Sequence, residues 1–111
     1  MIELIILNHL KTKLSENVSL ERPEPLLPTY VLIDKIGSSE DNQLKTSTFA
    51  FQSIAESLYE AASLNERVKT AAKSLIERSE IASVGLNSDY NFTDTQTKEY
   101  RYQAVFVIKH Y

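Results

Sequence analysis

No cysteine occurs in this chain of 111 residues. That excludes disulfides, thiol nucleophiles and cysteine metal sites, and it fits an intracellular origin. Glycine and proline are sparse, with 2 and 3 residues, which argues against low-complexity sequence and a long flexible linker. Gly37 and Gly85 stand alone, so no glycine-rich loop is present to cradle phosphate. Long apolar runs are missing too, since none approaches the roughly 20 residues of a membrane span. The opening "MIELIILNHLKTKL" lacks a basic region and is interrupted by Glu3, Asn8, His9 and Lys11, so it does not read as a signal peptide. Excess positive charge is absent as well. A net charge of −3 leaves no broad footprint for a nucleic-acid backbone.

What remains is an ordinary globular composition, 42% hydrophobic and 24% charged, of a length that fits one domain over residues 1–111. There is no internal repeat. Ile2, Ile5, Ile6, His9, Leu10, Lys13 and Leu14 share one helical stripe, which predicts an amphipathic helix over 2–15. "ERPEPLLP" reads as an extended connector, because proline fixes φ, lacks a donor and biases its predecessor toward extended geometry. A short strand at Val18–Glu21 fits ahead of it.

"TYVLIDKIG" has the β-branched and aromatic content of a strand apolar on both faces, suited to the middle of a sheet. Gly37–Gln43 reads as a polar loop, and "LKTSTFAFQSIA" as the next strand. Ser57 followed three residues later by Glu60 is a capping box. Behind it, Leu58, Ala61, Leu64, Val68, Ala71 or Ala72, and Leu75 form a stripe that predicts the main helix over 58–78. Ala82, Val84, Leu86, Ser88, Tyr90 and Phe92 share one face by period two. In the last segment Tyr100, Tyr102, Ala104, Phe106 and Ile108 alternate with Arg101, Gln103, Val105, Val107 and Lys109. These two segments, joined by polar "TDTQT", form a hairpin. The expected fold is α+β: a mainly antiparallel sheet of about four strands with two principal helices packed on it.

Candidate chemistry is thin. His9 lies on an apolar stripe and His110 close to the last residue, and neither has a nucleophile motif beside it, so both read as packing or surface residues. There is no HExxH motif. Glu40 with Asp41, and Asp89 with Asp94, lack the oxygen-ligand spacing of a calcium loop and read as solvated turns. The tyrosines are more informative. Tyr90, Tyr100 and Tyr102, with Phe92, fall near the hairpin tip, where a tyrosine stripe serves half-buried packing or an interface. Stacking on single-stranded nucleic acid is disfavoured, because Asp89, Asp94 and Glu99 offset Lys98 and Arg101. The residues alone indicate binding rather than a reaction.

Three runs, "ERPEPLLPTYVLIDKIGSSEDN", "TFAFQSIAESLYEAASLNERVKTA" and "SDYNFTDTQTKEYRYQAVFVIKHY", resemble small virion proteins of long-tailed bacteriophages and prophages of Gram-positive bacteria. The resemblance is to the tail terminator (tail completion, or tail-to-head joining) family, and it covers nearly the whole chain. It implies a mixed α+β domain that forms a hexameric ring on the last ring of the tail tube, stops tube polymerisation and offers a docking face to the head connector. Implied partners are other copies of the chain, the major tail tube protein and the neck proteins. No catalytic residue, cofactor or metal is implied, nor a membrane or a specific nucleic acid. The implied location is the head–tail junction of the virion, with the host cytoplasm during assembly. Candidate residues for contact with neighbouring subunits or the tail tube are Ser38, Ser39, Glu40, Asp41 and Asn42 in the polar loop, and Tyr90, Phe92, Tyr100, Arg101 and Tyr102 at the hairpin tip. A head-side stopper or adaptor of the connector is the alternative within this class. A small enzyme or binding domain of non-phage origin is the alternative outside it, to be recognised by a pocket that gathers polar groups such as His110 with Asp or Glu.

Overall fold

Ser57 opens the main helix. In the computed structural model, which describes every residue from Met1 to Tyr111, its hydroxyl accepts a hydrogen bond of 3.1 Å from the backbone N–H of Glu60. That satisfies one of the amides left unpaired in a first turn. The return bond of the capping box, from the Glu60 carboxylate, is not made. Helix α2 runs over Leu58–Lys73 and tightens into a 3₁₀ turn at Ser74–Glu77, together close to the predicted 58–78. Its buried stripe begins at Ala61, not at Leu58, and continues through Leu64, Val68, Ala71 and Ala72. The alanines let the helix axis lie close to the sheet. Helix α1 spans Ile2–Lys13, two residues short of the predicted end, and buries Ile2, Ile6, His9 and Leu10.

The strands are β1 (Asn17–Ser19), β2 (Tyr30–Asp41), β3 (Leu44–Ala55), β4 (Ile81–Asn91) and β5 (Tyr100–His110). They form one sheet in the order β1-β2-β3-β5-β4. The α+β class therefore holds, with a mixed sheet of five strands instead of about four. The additional strand is β1, which pairs parallel with Tyr30–Leu32, while every other neighbour is antiparallel. Both helices cover one face. Their apolar residues meet Val31, Ile33, Phe49, Phe51, Ala104, Phe106 and Ile108. Phe51 stands edge-on to Phe106 at 5.6 Å between ring centres. Burying a ring of this size stabilises the fold by roughly 1.5–3 kcal/mol. Neither helix is long and apolar enough to cross a membrane.

Two expectations are corrected. Gly37–Gln43 is not a loop. β2 continues to Asp41, β3 starts at Leu44, and Asn42 and Gln43 alone reverse the chain, with φ of 52° and 67°. Positive φ at both central residues is the type I′ geometry that matches strand twist in a two-residue hairpin. The segment reads as a loop because both of its faces meet solvent, so no apolar residue marks its period. The middle-of-the-sheet expectation holds only over the first residues of β2, because β1 pairs with it only at Tyr30–Leu32; beyond Leu32 it is an edge.

The second correction concerns β4. Its residues do not keep one period-two face, because bulges fall between Ile81 and Ser83 and between Leu86 and Ser88. Each bulge inserts a residue and exchanges the faces. Val84 and Leu86 pair with Ile108 and Phe106, on the helix side. Ser88 and Tyr90 pair with Val105 and Gln103, on the open side.

Candidate functional site

The register places the two predicted contact segments at opposite ends of the sheet. Ala55 pairs with Tyr100 at one end and Lys45 with His110 at the other. Ten steps of strand separate these pairs, about 33 Å at roughly 3.3 Å per residue. Ser38, Ser39, Glu40 and Asp41 lie on exposed β2 and Asn42 in its turn, all at the His110 end. Tyr90, Phe92, Tyr100, Arg101 and Tyr102 lie at the Tyr100 end. They do not form one surface.

The tyrosines are divided as well. Tyr100 and Tyr102 are half-buried and point to the helix side, in line with Ala104 and Phe106. Tyr90 and Phe92 are exposed on the open side, edge-on to each other at 5.9 Å. Arg101 joins that pair. Its guanidinium carbon sits 4.8 Å from the centre of the Phe92 ring, and its Nε donates to the Phe92 carbonyl at 2.7 Å. Gln103 Nε2 donates to the Tyr90 hydroxyl. The structure thus assembles a preformed patch of Tyr90, Phe92 and Arg101, the residue types enriched at protein contacts.

Behind the patch lies a centre that the sequence did not reveal. Glu99 Oε2 accepts from Arg22 Nη2 at 2.7 Å and from the Tyr30 hydroxyl at 3.2 Å, while Oε1 accepts from Arg101 Nη1 at 3.1 Å. Arg22 belongs to the proline-rich connector, so this carboxylate ties the connector to the hairpin. Burial pushes the Tyr30 phenol up, and the neighbouring Glu99 charge pushes it further. The hairpin tip is held locally. Asp94 Oδ1 accepts from the backbone N–H of Gln96 and of Thr97, and these bonds hold its carboxyl below the usual range. Lys98 takes φ of 56° to close the turn.

Asp89 and Asp94 do not meet around a cation. Asp89 lies in β4, not in a turn. It accepts from Lys69 Nζ at 3.1 Å and from Asn65 Nδ2 at 3.4 Å, both on α2. No group of three or more His, Asp or Glu side chains is arranged to hold a metal.

Both histidines are buried, with hydrogen-bond partners distant in sequence. Arg78 Nε donates to His9 Nδ1 at 2.9 Å, which makes Nδ1 an acceptor and leaves the proton on Nε2. Nε2 then donates to Ser74 Oγ at 2.7 Å, and Ser74 donates to the Ala71 carbonyl at 2.6 Å. Burial lowers the His9 pKa, and the positive charges of Arg78 and Lys13 lower it further. His110 Nε2 meets Ser47 Oγ at 2.8 Å, across 63 residues of sequence. Its pKa is also lowered, first by burial.

The Ser47–His110 pair lies in a cleft of about 550 Å³ whose walls also carry Glu3, Lys35, Glu40, Lys45 and Glu80. A neutral histidine bonded to a serine hydroxyl has the makings of a base and a nucleophile. However, no third side chain hydrogen-bonds to His110 to orient it, and Ser47 is 1% exposed. Ser47 escapes sequence reasoning because its partner is reached only by cross-strand pairing. No family model matches the chain, and no curated protein matches it either.

Proposed function

We propose that this chain is a structural protein of a phage tail: a tail terminator that caps the tube, ends its polymerisation and joins the tail to the head connector. The observation that carries this reading is the resemblance of the three sequence runs to that family. The α+β sheet with two helices on one face is the kind of fold the resemblance implies. In this reading copies of the chain form a hexameric ring at the head–tail junction, after assembly in the host cytoplasm. The two ends of the sheet take different partners. One end offers the β2–β3 turn at Asn42 and Gln43, and the other offers the patch of Tyr90, Phe92 and Arg101. One set meets the major tail tube protein and the other the neck proteins. The test is immunogold labelling of tails detached from heads. Label at the head-proximal tip of free tails supports the terminator. Label that stays with the heads moves the protein to the stopper or adaptor position.

The cleft favours a second reading, a small binding or catalytic domain, because it brings His110 and Ser47 near Glu3, Glu40 and Glu80. A fluorophosphonate probe tests it directly. Covalent labelling of Ser47 that is lost with His110→Gln supports catalysis, and an unlabelled serine supports the structural reading.

A further inference from the structure

Strands β2, β3, β5 and β4 form an antiparallel block with two open edges. β1 shields β2 only over Tyr30–Leu32, so the outer side of Ile33–Asp41 is free. On the far side, β4 has no outer neighbour along Ser83–Asn91. No side-chain hydrogen bond, and no backbone bond outside the ladders of the sheet, reaches the backbone of either stretch. Such edges are templates for another strand.

Direction decides which strand fits. Because the block holds an even number of alternating strands, β2 and β4 run in opposite senses. A second copy in the same orientation therefore presents its β2 antiparallel to the first copy's β4, and the sheet continues unbroken. Charge separates this arrangement from two-fold pairing through β2. The β2 edge carries Asp34, Glu40 and Asp41 against Lys35 alone. Two such edges face to face would oppose carboxylate to carboxylate, which is unfavourable. The β4 edge is neutral over Ser83, Gly85, Asn87 and Ser88, and its Asp89 is already paired with Lys69. It accepts the acidic edge without that repulsion.

We infer that copies of this chain join head to tail by strand addition, β4 of one against Ile33–Asp41 of the next. The inference deepens the reading above by naming the contact between neighbours in its ring. Such a contact uses two different surfaces of each subunit, so it propagates until rotation closes a ring.

The chain's lack of cysteine makes the test clean. Ser38→Cys and Ser39→Cys mark the β2 edge, and Ser83→Cys and Asn87→Cys mark the β4 edge, all at exposed positions. Circular dichroism confirms that each variant folds. Each is oxidised alone and in pairs at millimolar chain. At least one β2–β4 mixture should yield cross-linked dimer tenfold above either variant alone, and a chain carrying both cysteines of that pair should yield a ladder. Equal or greater cross-linking within single variants, or none in any combination, overturns the inference. The two ideas fail separately. If the wild-type chain caps tail tubes but β2–β4 cross-links are missing, strand addition is wrong and the terminator reading stands. If cross-links form but tail tubes never take up the chain, the reverse holds.

Discussion

Arg78 donates to the Nδ1 of His9 at 2.9 Å, so the ring nitrogen that would take up a proton already faces a guanidinium. Lys13 lies on the same side of the balance, and only Glu77 and the Ala71 carbonyl oppose it. Burial of the ring lowers its pKa most, and the positive charges of Arg78 and Lys13 add to it, so the folded pKa is below the unfolded value of 6.5. In such a case the unfolded chain binds more protons as pH falls, and the native state loses stability. His110 acts in the same sense. Stability should be full above about pH 7 and decline as pH falls below 6.5. His9→Phe should cost about 1–3 kcal/mol at pH 7, by stranding Arg78 and Ser74, yet flatten the pH dependence. Urea midpoints at several pH values would show it, and an unaltered slope in the variant would count against the assignment.

Glu99 should act as the fastener of the connector. Glu99→Ala removes the acceptor for Arg22, Arg101 and the Tyr30 hydroxyl together. Because Tyr30 is buried, the expected loss is about 1–3 kcal/mol, more than an exposed ion pair provides. Proteolysis should then begin in the segment Leu20–Thr29. Arg22→Ala, whose side chain is half exposed, should cost no more than about 1 kcal/mol. Equal effects from the two substitutions would contradict a shared centre.

Gln43 holds φ of 67°, a conformation that glycine adopts without strain. Gln43→Gly should raise stability modestly, because relief of roughly 1–2 kcal/mol of left-handed strain outweighs the roughly 0.4–1 kcal/mol that glycine adds in unfolded-chain entropy. A lowered thermal midpoint would mean that the Gln43 side chain has a role the geometry does not show.

The Ser57 cap is a local bond with a local consequence. Ser57→Ala should destabilise the protein by about 1 kcal/mol, and Ser57→Asp should retain most of the cap. Chemical denaturation measures both. No loss in the alanine variant would show that tertiary packing alone fixes where α2 begins.

These residues also show what one sequence makes legible. The start of α2 was readable because a cap and an apolar stripe act within one turn of each other. The β5 face was readable because Ala104, Phe106 and Ile108 are buried on a strand without bulges. Local pattern fails where local sequence does not decide. The outer half of β2 is solvated on both faces, so period two leaves no trace. The β4 bulges shift the pattern without altering composition. Glu99 with Arg22, His9 with Arg78, and Ser47 with His110 meet across 77, 69 and 63 residues. Only the strand order and the helix docking bring them together. The aromatic candidates were legible as residue types, but their division between two faces was not.

The proposed function is exercised at the end of a tube. On the proposed reading, the cognate tail tube protein would be purified, polymerised with and without this chain and imaged by negative-stain electron microscopy. A ring of added density at one tube end, and shorter tubes as the chain is added, are the expected result. Bare tube ends and an unchanged length distribution, with folded chain in excess, would contradict it.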